Sequence, residues 1–215
     1  MDPIAAADAR ATRRRLSPEE RRREIIAATI DTVAALGYRA TTFAKITERS
    51  GLSSTRLISY HFAGRDELMQ ATVAHVYQQI QDHLTARLAA ATEPRAQLAA
   101  YIRAVVEFVA ENRTAMQALS SIFLSFRDES GDSPTYDADS DQHAIGAVEQ
   151  ILRRGQADGT FRTFDPFIMG SLVQRSVDGL PFLLETRPDL DLAAYAEELV
   201  ETFDIATRTD GEGVR

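Results

Sequence analysis

Two groups of hydrogen-bonding side chains stand at the starts of two short segments that read as helices: Thr42 and Lys45 in the first, Ser54, Thr55 and Arg56 in the second. These residue types at this spacing suit a polyanion with readable edges. Double-stranded DNA asks for donors to phosphate oxygens, which position the protein, and donors to base edges, which read sequence. Thr42, at a helix N-terminus, offers a hydroxyl beside free backbone N–H groups, a ready phosphate site. Lys45, one turn later, reaches a phosphate or a base. The first turn of a recognition helix is the part that meets base edges. There Arg56 has the fork that bonds guanine at two atoms, worth roughly 1–3 kcal/mol of discrimination. Arg65, at the next helix start, faces phosphate. Thr42 and Ser54 are also suited to act only as helix caps.

Residues 42–62, TFAKITERSGLSSTRLISYHF, have the pattern needed to hold such groups in place. The pattern is a short helix, a turn at Gly51-Leu52, and a second short helix. Two helices crossing steeply need a small residue at the turn and a few apolar residues at the crossing. Ile46, Leu52, Ile58 and Phe62 supply the packing, which leaves the outward face of the second helix free.

The net charge of −8 hides an asymmetry. Residues 1–65 hold 12 Arg or Lys against 7 Asp or Glu, a net of +5, whereas residues 66–215 hold 12 against 25, a net of −13. A basic first part on an acidic remainder suits a chain with one end facing an anion. The basic arm of residues 1–16, with Arg10, Arg13, Arg14 and Arg15, suits a minor groove or general phosphate attraction. The 215 residues are enough for a sizeable core. With no Cys there is neither a disulfide framework nor a Cys-based metal site, which fits a reducing cytoplasm. No run of about 18 apolar residues is present, so no membrane partner is expected. The N-terminal arginines lack the apolar run of a secretory signal.

Helical periodicity runs through the rest, and nothing reads as a strand. Ser17-Pro18-Glu19-Glu20 predicts a capping box with Pro at the first helical position. That helix ends at Gly37, and the next runs from Thr41 or Thr42 to Gly51. A long helix carries Leu68, Val73, Val76, Ile80, Leu84 and Leu88. Pro94 opens another, which Glu111-Asn112-Arg113 breaks. A further helix reaches Phe126. Residues 128–141, with six carboxylates, Gly131 and Pro134, predict a loop. Further helices are expected over 144–157, from Pro166 to about Leu184, and over about 191–206. The expected fold is all-α, about nine helices. A DNA-binding domain spans 17–64 and a helical effector-binding and dimerisation domain spans 65–215.

Residues 21–69 resemble the N-terminal domain of the TetR family of bacterial transcriptional regulators. The matching elements are Gly37-Tyr38, Ala40-Thr41-Thr42, Ile46, Gly51-Leu52-Ser53, His61-Phe62 and Asp66-Glu67-Leu68. The remainder is similar in architecture, including Gly159-Thr160-Phe161 before Asp165-Pro166. The resemblance implies a homodimer formed through the last two long helices, about 166–184 and 191–206. It also implies a palindromic double-stranded DNA operator and a small-molecule effector that releases it, with repression the commoner outcome. It implies phosphate contacts from Tyr60 and His61, although Tyr60 also suits a place in the core and His61 a backbone carbonyl. One departure stands out: Gly51 to Phe62 is one residue longer than is usual in the family. The extra residue falls near Ser53-Ser54, puts Ser59 where an aromatic is common, and leaves the register of base contacts open.

An effector site among helices is mostly apolar with a few polar groups. Inward-looking faces offer Tyr101, Phe108, Met116, Phe123, Phe126, Met169 and Phe182, each equally at home in a core. Polar candidates are Arg103, Gln117, Ser120, Gln174, Arg175 and Asp178, of which Arg175 and Asp178 also suit a dimer contact. His75 and His83 lie eight apart on one helix without a third ligand, so no metal or other cofactor is expected. An enzyme would need a nucleophile–base pair, a metal cluster or a phosphate loop. The sequence has no G-x-S-x-G, H-E-x-x-H or phosphate-loop pattern, so no catalytic role is expected. A helical module that binds protein is disfavoured by the basic first part.

Overall fold

Ser17 begins the first helix as its neighbours dictate. Its hydroxyl accepts the Glu20 N–H at 3.1 Å, the Glu20 carboxylate accepts the Ser17 N–H at 2.7 Å, and Pro18 takes the first helical position. Pro18 brings no N–H, so two of the end's three unpaired N–H groups are thereby involved in a reciprocal cap. The computed structural model describes residues 16–125 and 138–209. The basic arm through residue 15, Phe126 and the expected loop up to residue 137 lie outside the described residues.

Ten helices follow one another in the described residues. They are α1 (Pro18–Leu36), α2 (Phe43–Ser50), α3 (Thr55–His61), α4 (Arg65–Leu88), α5 (Pro94–Glu111), α6 (Arg113–Ser125), α7 (Ala138–Ala157), α8 (Pro166–Asp178), α9 (Leu180–Thr186) and α10 (Leu192–Thr207). The only strand-like pairing among them is an isolated bridge between Phe161 and Arg208, so the chain is all-α as its periodicity predicts.

The expected helix from Pro166 to about Leu184 is two helices. Pro181 has no N–H to give the Val177 carbonyl, and its ring crowds that carbonyl. The chain therefore breaks at Gly179 although the apolar pattern runs through. α8 keeps its predicted start, with the Asp165 carboxylate accepting the Phe167 and Ile168 N–H groups at 2.9 and 3.1 Å. α7 begins at Ala138, earlier than the expected Ala144.

Apolar faces of these helices meet in three clusters. The first joins Ile25 and Val33 of α1, Ile46 of α2, Ile58 of α3, Phe62, and Leu68 and Met69 of α4. Ala118, Leu119 and Ile122 of α6 complete it. The core under α2 and α3 is thus continuous with a helix more than 50 residues further along the chain, and α1 lies along α6. The second joins α4, α5, α7, α8 and α10 through Leu84, Ile102, Leu152, Val173 and Phe203. The third joins α5, α8, α9 and α10 through Val106, Val109, Val177, Leu180 and Ala196.

Candidate nucleic-acid interface

α2, the turn and α3 form a helix-turn-helix. Thr42 caps α2, its hydroxyl accepting the Lys45 N–H at 3.2 Å. Gly51 ends α2 at φ 71°, ψ 15°, a left-handed conformation that glycine adopts without steric cost. The next residue, Leu52, turns into the core. Ile46 and Ile58 are fully buried, and Phe62 is 1% exposed. These four residues hold the crossing as their pattern predicts.

α3 divides into two faces. Ile58 and Phe62 turn inward, Leu57 and His61 are half-buried, and Thr55, Arg56, Ser59 and Tyr60 are exposed. The exposed set follows the i, i+1, i+4, i+5 order of one helix side. Ser53 is a bend residue and Ser54 the N-cap position, so both stand before the first turn of α3. Ser54 makes no side-chain cap bond, so its hydroxyl is not spent on the helix end. Arg56 has no ion pair or hydrogen bond among the described residues. Tyr60 is 83% exposed, its ring edge-on to His61 with centroids 5.1 Å apart. That excludes the core position for Tyr60. Ser59 returns its hydroxyl to the Thr55 carbonyl at 3.3 Å.

On α2, Thr42, Lys45, Glu48 and Arg49 are exposed. Lys45 Nζ lies 2.8 Å from Glu48 Oε2, and this bond holds the Glu48 carboxyl below its ordinary value. The pair is exposed and adds little stability, so an incoming phosphate competes for Lys45 at small cost.

Arg65 departs from its expected outward position. Its guanidinium stacks 3.9 Å from the Tyr38 ring centroid. Nε donates to the Thr41 carbonyl at 3.1 Å, and Nη2 donates to the Tyr38 carbonyl. The residue ties α4 to the connection between α1 and α2, directly before the Thr42 cap. A contact across 24 to 27 positions leaves no local signal. Ser121 of α6, which local sequence does not mark either, accepts the Tyr38 N–H at 2.9 Å, which joins the same connection to α6.

The described members of the predicted effector set are spread over several contacts. Tyr101 is buried and donates to Gln174 Oε1 at 2.6 Å, Gln174 Nε2 donates to Asp178 Oδ1 at 2.7 Å, and Arg175 Nη1 donates to Asp178 Oδ2 at 2.8 Å. Burial first, then the Asp178 charge, pushes the Tyr101 hydroxyl above its ordinary value, so it stays a neutral donor. This chain links α5 to α8. Phe108 lies against His83, and Phe123 against Tyr77. Met116 and Met169 pack at the clusters. Ser120 is half-buried and Phe182 is exposed. Arg103 pairs with Glu197 of α10 at 2.6 Å. A groove of about 450 Å³ runs between α1, α2 and α6, with Gln117 on its wall. A second, of about 460 Å³, lies between α5 and α10 along Leu98 and Val200. Among the described residues, Gln117 is the predicted effector residue that lines one of these two grooves.

Besides Tyr60, the exposed large apolar residues among those described are Leu36 of α1, Leu124 of α6, Phe167, Ile168 and Leu172 of α8, Phe182 of α9 and Ile205 of α10. Singly such residues are ordinary, whereas a large contiguous patch of them is the mark of a contact surface.

Residues 25–72 match the family model for bacterial regulatory proteins of the tetR family. The helix-turn-helix transcriptional regulator BetI of Burkholderia mallei is 33% identical over 118 residues. That match covers 54% of this chain and 58% of the relative, so the chain spans little more than half the length of that relative. A bacterial regulatory protein of the tetR family from Rhodococcus RHA1 shares the fold with a TM-score of 0.75 at 20% identity, covering 88% of this chain and 98% of its own. AibR, solved in complex with isovaleryl coenzyme A and operator DNA, gives a TM-score of 0.71 at 15% identity, covering 85% and 97%.

Proposed function

Because the chain belongs to the tetR family of bacterial regulatory proteins, we propose that it is a ligand-responsive transcriptional regulator. In this reading it binds a palindromic DNA operator as a homodimer, and a small-molecule effector releases it, so that it represses in the effector's absence. The observation that carries the reading is the outward face of α3, with Arg56 and Thr55 on its first turn and Ser59 and Tyr60 on its second. A recognition helix needs such a face, with its base-reading residues toward the N-terminus. Thr42, Lys45, Ser54, Tyr60 and His61 are assigned to phosphate or sugar, and Thr55, Arg56 and Ser59 to base edges. Arg65 is assigned to holding the α1–α2 connection rather than to phosphate.

The unit that reads DNA is taken as 17–64 and the effector and dimer unit as 65–215, with α6 shared between their cores. The exposed apolar residues of α8 and α10 are assigned to a second copy of the chain. Two heads then meet half-sites about 34–36 Å apart, one helical turn of DNA. A relative in complex with both coenzyme A thioester and operator supports a small-molecule effector here without naming it. No cofactor or catalytic step is assigned, and DNA as the partner puts the protein in the cytoplasm.

Salt dependence tests the phosphate contacts. Lys45 is the cation assigned to phosphate, and two of them per dimer predict an affinity for DNA that falls about tenfold between ~50 and ~200 mM salt, because each neutralised phosphate releases condensed counterions. Fluorescence anisotropy on a labelled duplex from the region upstream of the coding sequence measures it. An affinity unchanged by salt contradicts the assignment.

A further inference from the structure

Arg22 lies in the run Arg21-Arg22-Arg23 of α1, where composition alone suggests generic attraction to phosphate. Its guanidinium is instead committed to the end of α3. Nη1 donates to the His61 carbonyl, the group lies 4.1 Å from the Phe62 ring centroid, and Nη2 is 3.3 Å from Glu67 Oε1. The other carboxylate oxygen of Glu67, on α4, accepts the Ala63 N–H at 2.6 Å. Two side chains from α1 and α4 thus grip three consecutive residues: the carbonyl of 61, the ring of 62 and the amide of 63.

A helix of seven residues is marginal on its own and takes its stability from tertiary contacts. The last carbonyls of a helix lack intrahelical partners and carry partial negative charge. A guanidinium on the last of them satisfies one and fixes the direction in which the helix leaves the core. The Glu67 carboxyl is held below its ordinary value, by the Ala63 amide first and Arg22 after it, so the clamp is charged at neutral pH.

We propose that Arg22 and Glu67 are positioning residues for sequence reading: they set the angle of α3 on DNA without touching it. The idea rests on the DNA-binding reading above. Small misplacement of Arg56 loses a bidentate contact whose geometry is strict, whereas phosphate attraction tolerates it.

The test uses the full chain with Arg22→Met, Arg22→Lys and Glu67→Gln. Two readouts are taken: affinity for the upstream duplex against a scrambled duplex, and amide hydrogen exchange. Arg22→Met is expected to lower the preference for the upstream duplex about tenfold, the equivalent of one charged hydrogen bond, while scrambled-duplex affinity holds within about twofold. Exchange at residues 57–62 is expected to rise about tenfold with α5 and α10 unaffected. Arg22→Lys, which keeps charge but not the fork, restores part of both. Glu67→Gln moves both in the same direction. An unchanged preference overturns the proposal, as does a parallel loss on both duplexes with faster exchange throughout. Wild-type protein that does not distinguish the duplexes defeats the DNA reading, and with it the positioning role. Local exchange at 57–62 then shows whether the clamp still holds α3.

Discussion

Phe62→Ala is expected to destabilise the protein by about 3–5 kcal/mol, the usual cost of emptying a buried phenylalanine site. Phe62 is the largest fully buried side chain beneath α3 and sits in the same cluster as Ile25, Ile46, Ile58 and Leu68. It also forms the face under the Arg22 guanidinium. Its removal opens a cavity at the helix crossing and releases the end of α3. Whole domains are stable by only about 5–15 kcal/mol, so the loss is a large part of the total. Because α6 completes this cluster, the destabilisation is expected to reach beyond the three N-terminal helices. Urea unfolding followed by circular dichroism measures it, and a loss below about 1 kcal/mol contradicts the assigned packing.

The second large effect belongs to the far end of the molecule. Ile168→Glu combined with Leu172→Glu is expected to leave a folded monomer that binds the operator at least about 100-fold more weakly. Ile168 and Leu172 are 58% and 56% exposed, so the change removes nothing from the chain's own core. Carboxylates there would be buried against a second copy, at a cost that association cannot recover. A monomer loses the second half-site, and linkage of two sites raises affinity by about 10²–10⁴-fold without any new contact. Light scattering reads the mass and anisotropy the affinity. A variant that remains dimeric with full affinity places the partner surface elsewhere.

Much of this architecture is legible in local sequence because caps and breakers act over a few residues. Ser17 with Pro18 and Glu20, Thr42 before α2, Gly51 after it, and Asp165 with Pro166 each do in the structure what their types imply. The inward set Ile46, Leu52, Ile58 and Phe62 follows from spacing alone. Contacts between distant positions are not legible in this way. Arg65 looks outward in sequence because the Tyr38 ring and the Tyr38 and Thr41 carbonyls that capture it belong to another helix connection. Arg22 is hidden in an arginine run, and Ser121 meets Tyr38 across 83 positions. The break at Gly179 had a visible cause in Pro181, masked by an apolar pattern that continues past it. Inward direction in an all-α core marks packing residues as readily as pocket walls. Tyr101 and Gln174 satisfy each other rather than facing a common cavity.

The central claim is that α3 reads base sequence through Arg56. The most direct measurement is the affinity of wild-type and Arg56→Ala protein for the upstream duplex and for a scrambled duplex at one salt concentration. Wild type is expected to prefer the upstream duplex by about 10³-fold or more. Arg56→Ala is expected to cut that preference by about 10–100-fold, through loss of a bidentate base contact. Its affinity for the scrambled duplex should be nearly unchanged. Equal wild-type affinity for both duplexes, or a preference that survives Arg56→Ala intact, contradicts the claim.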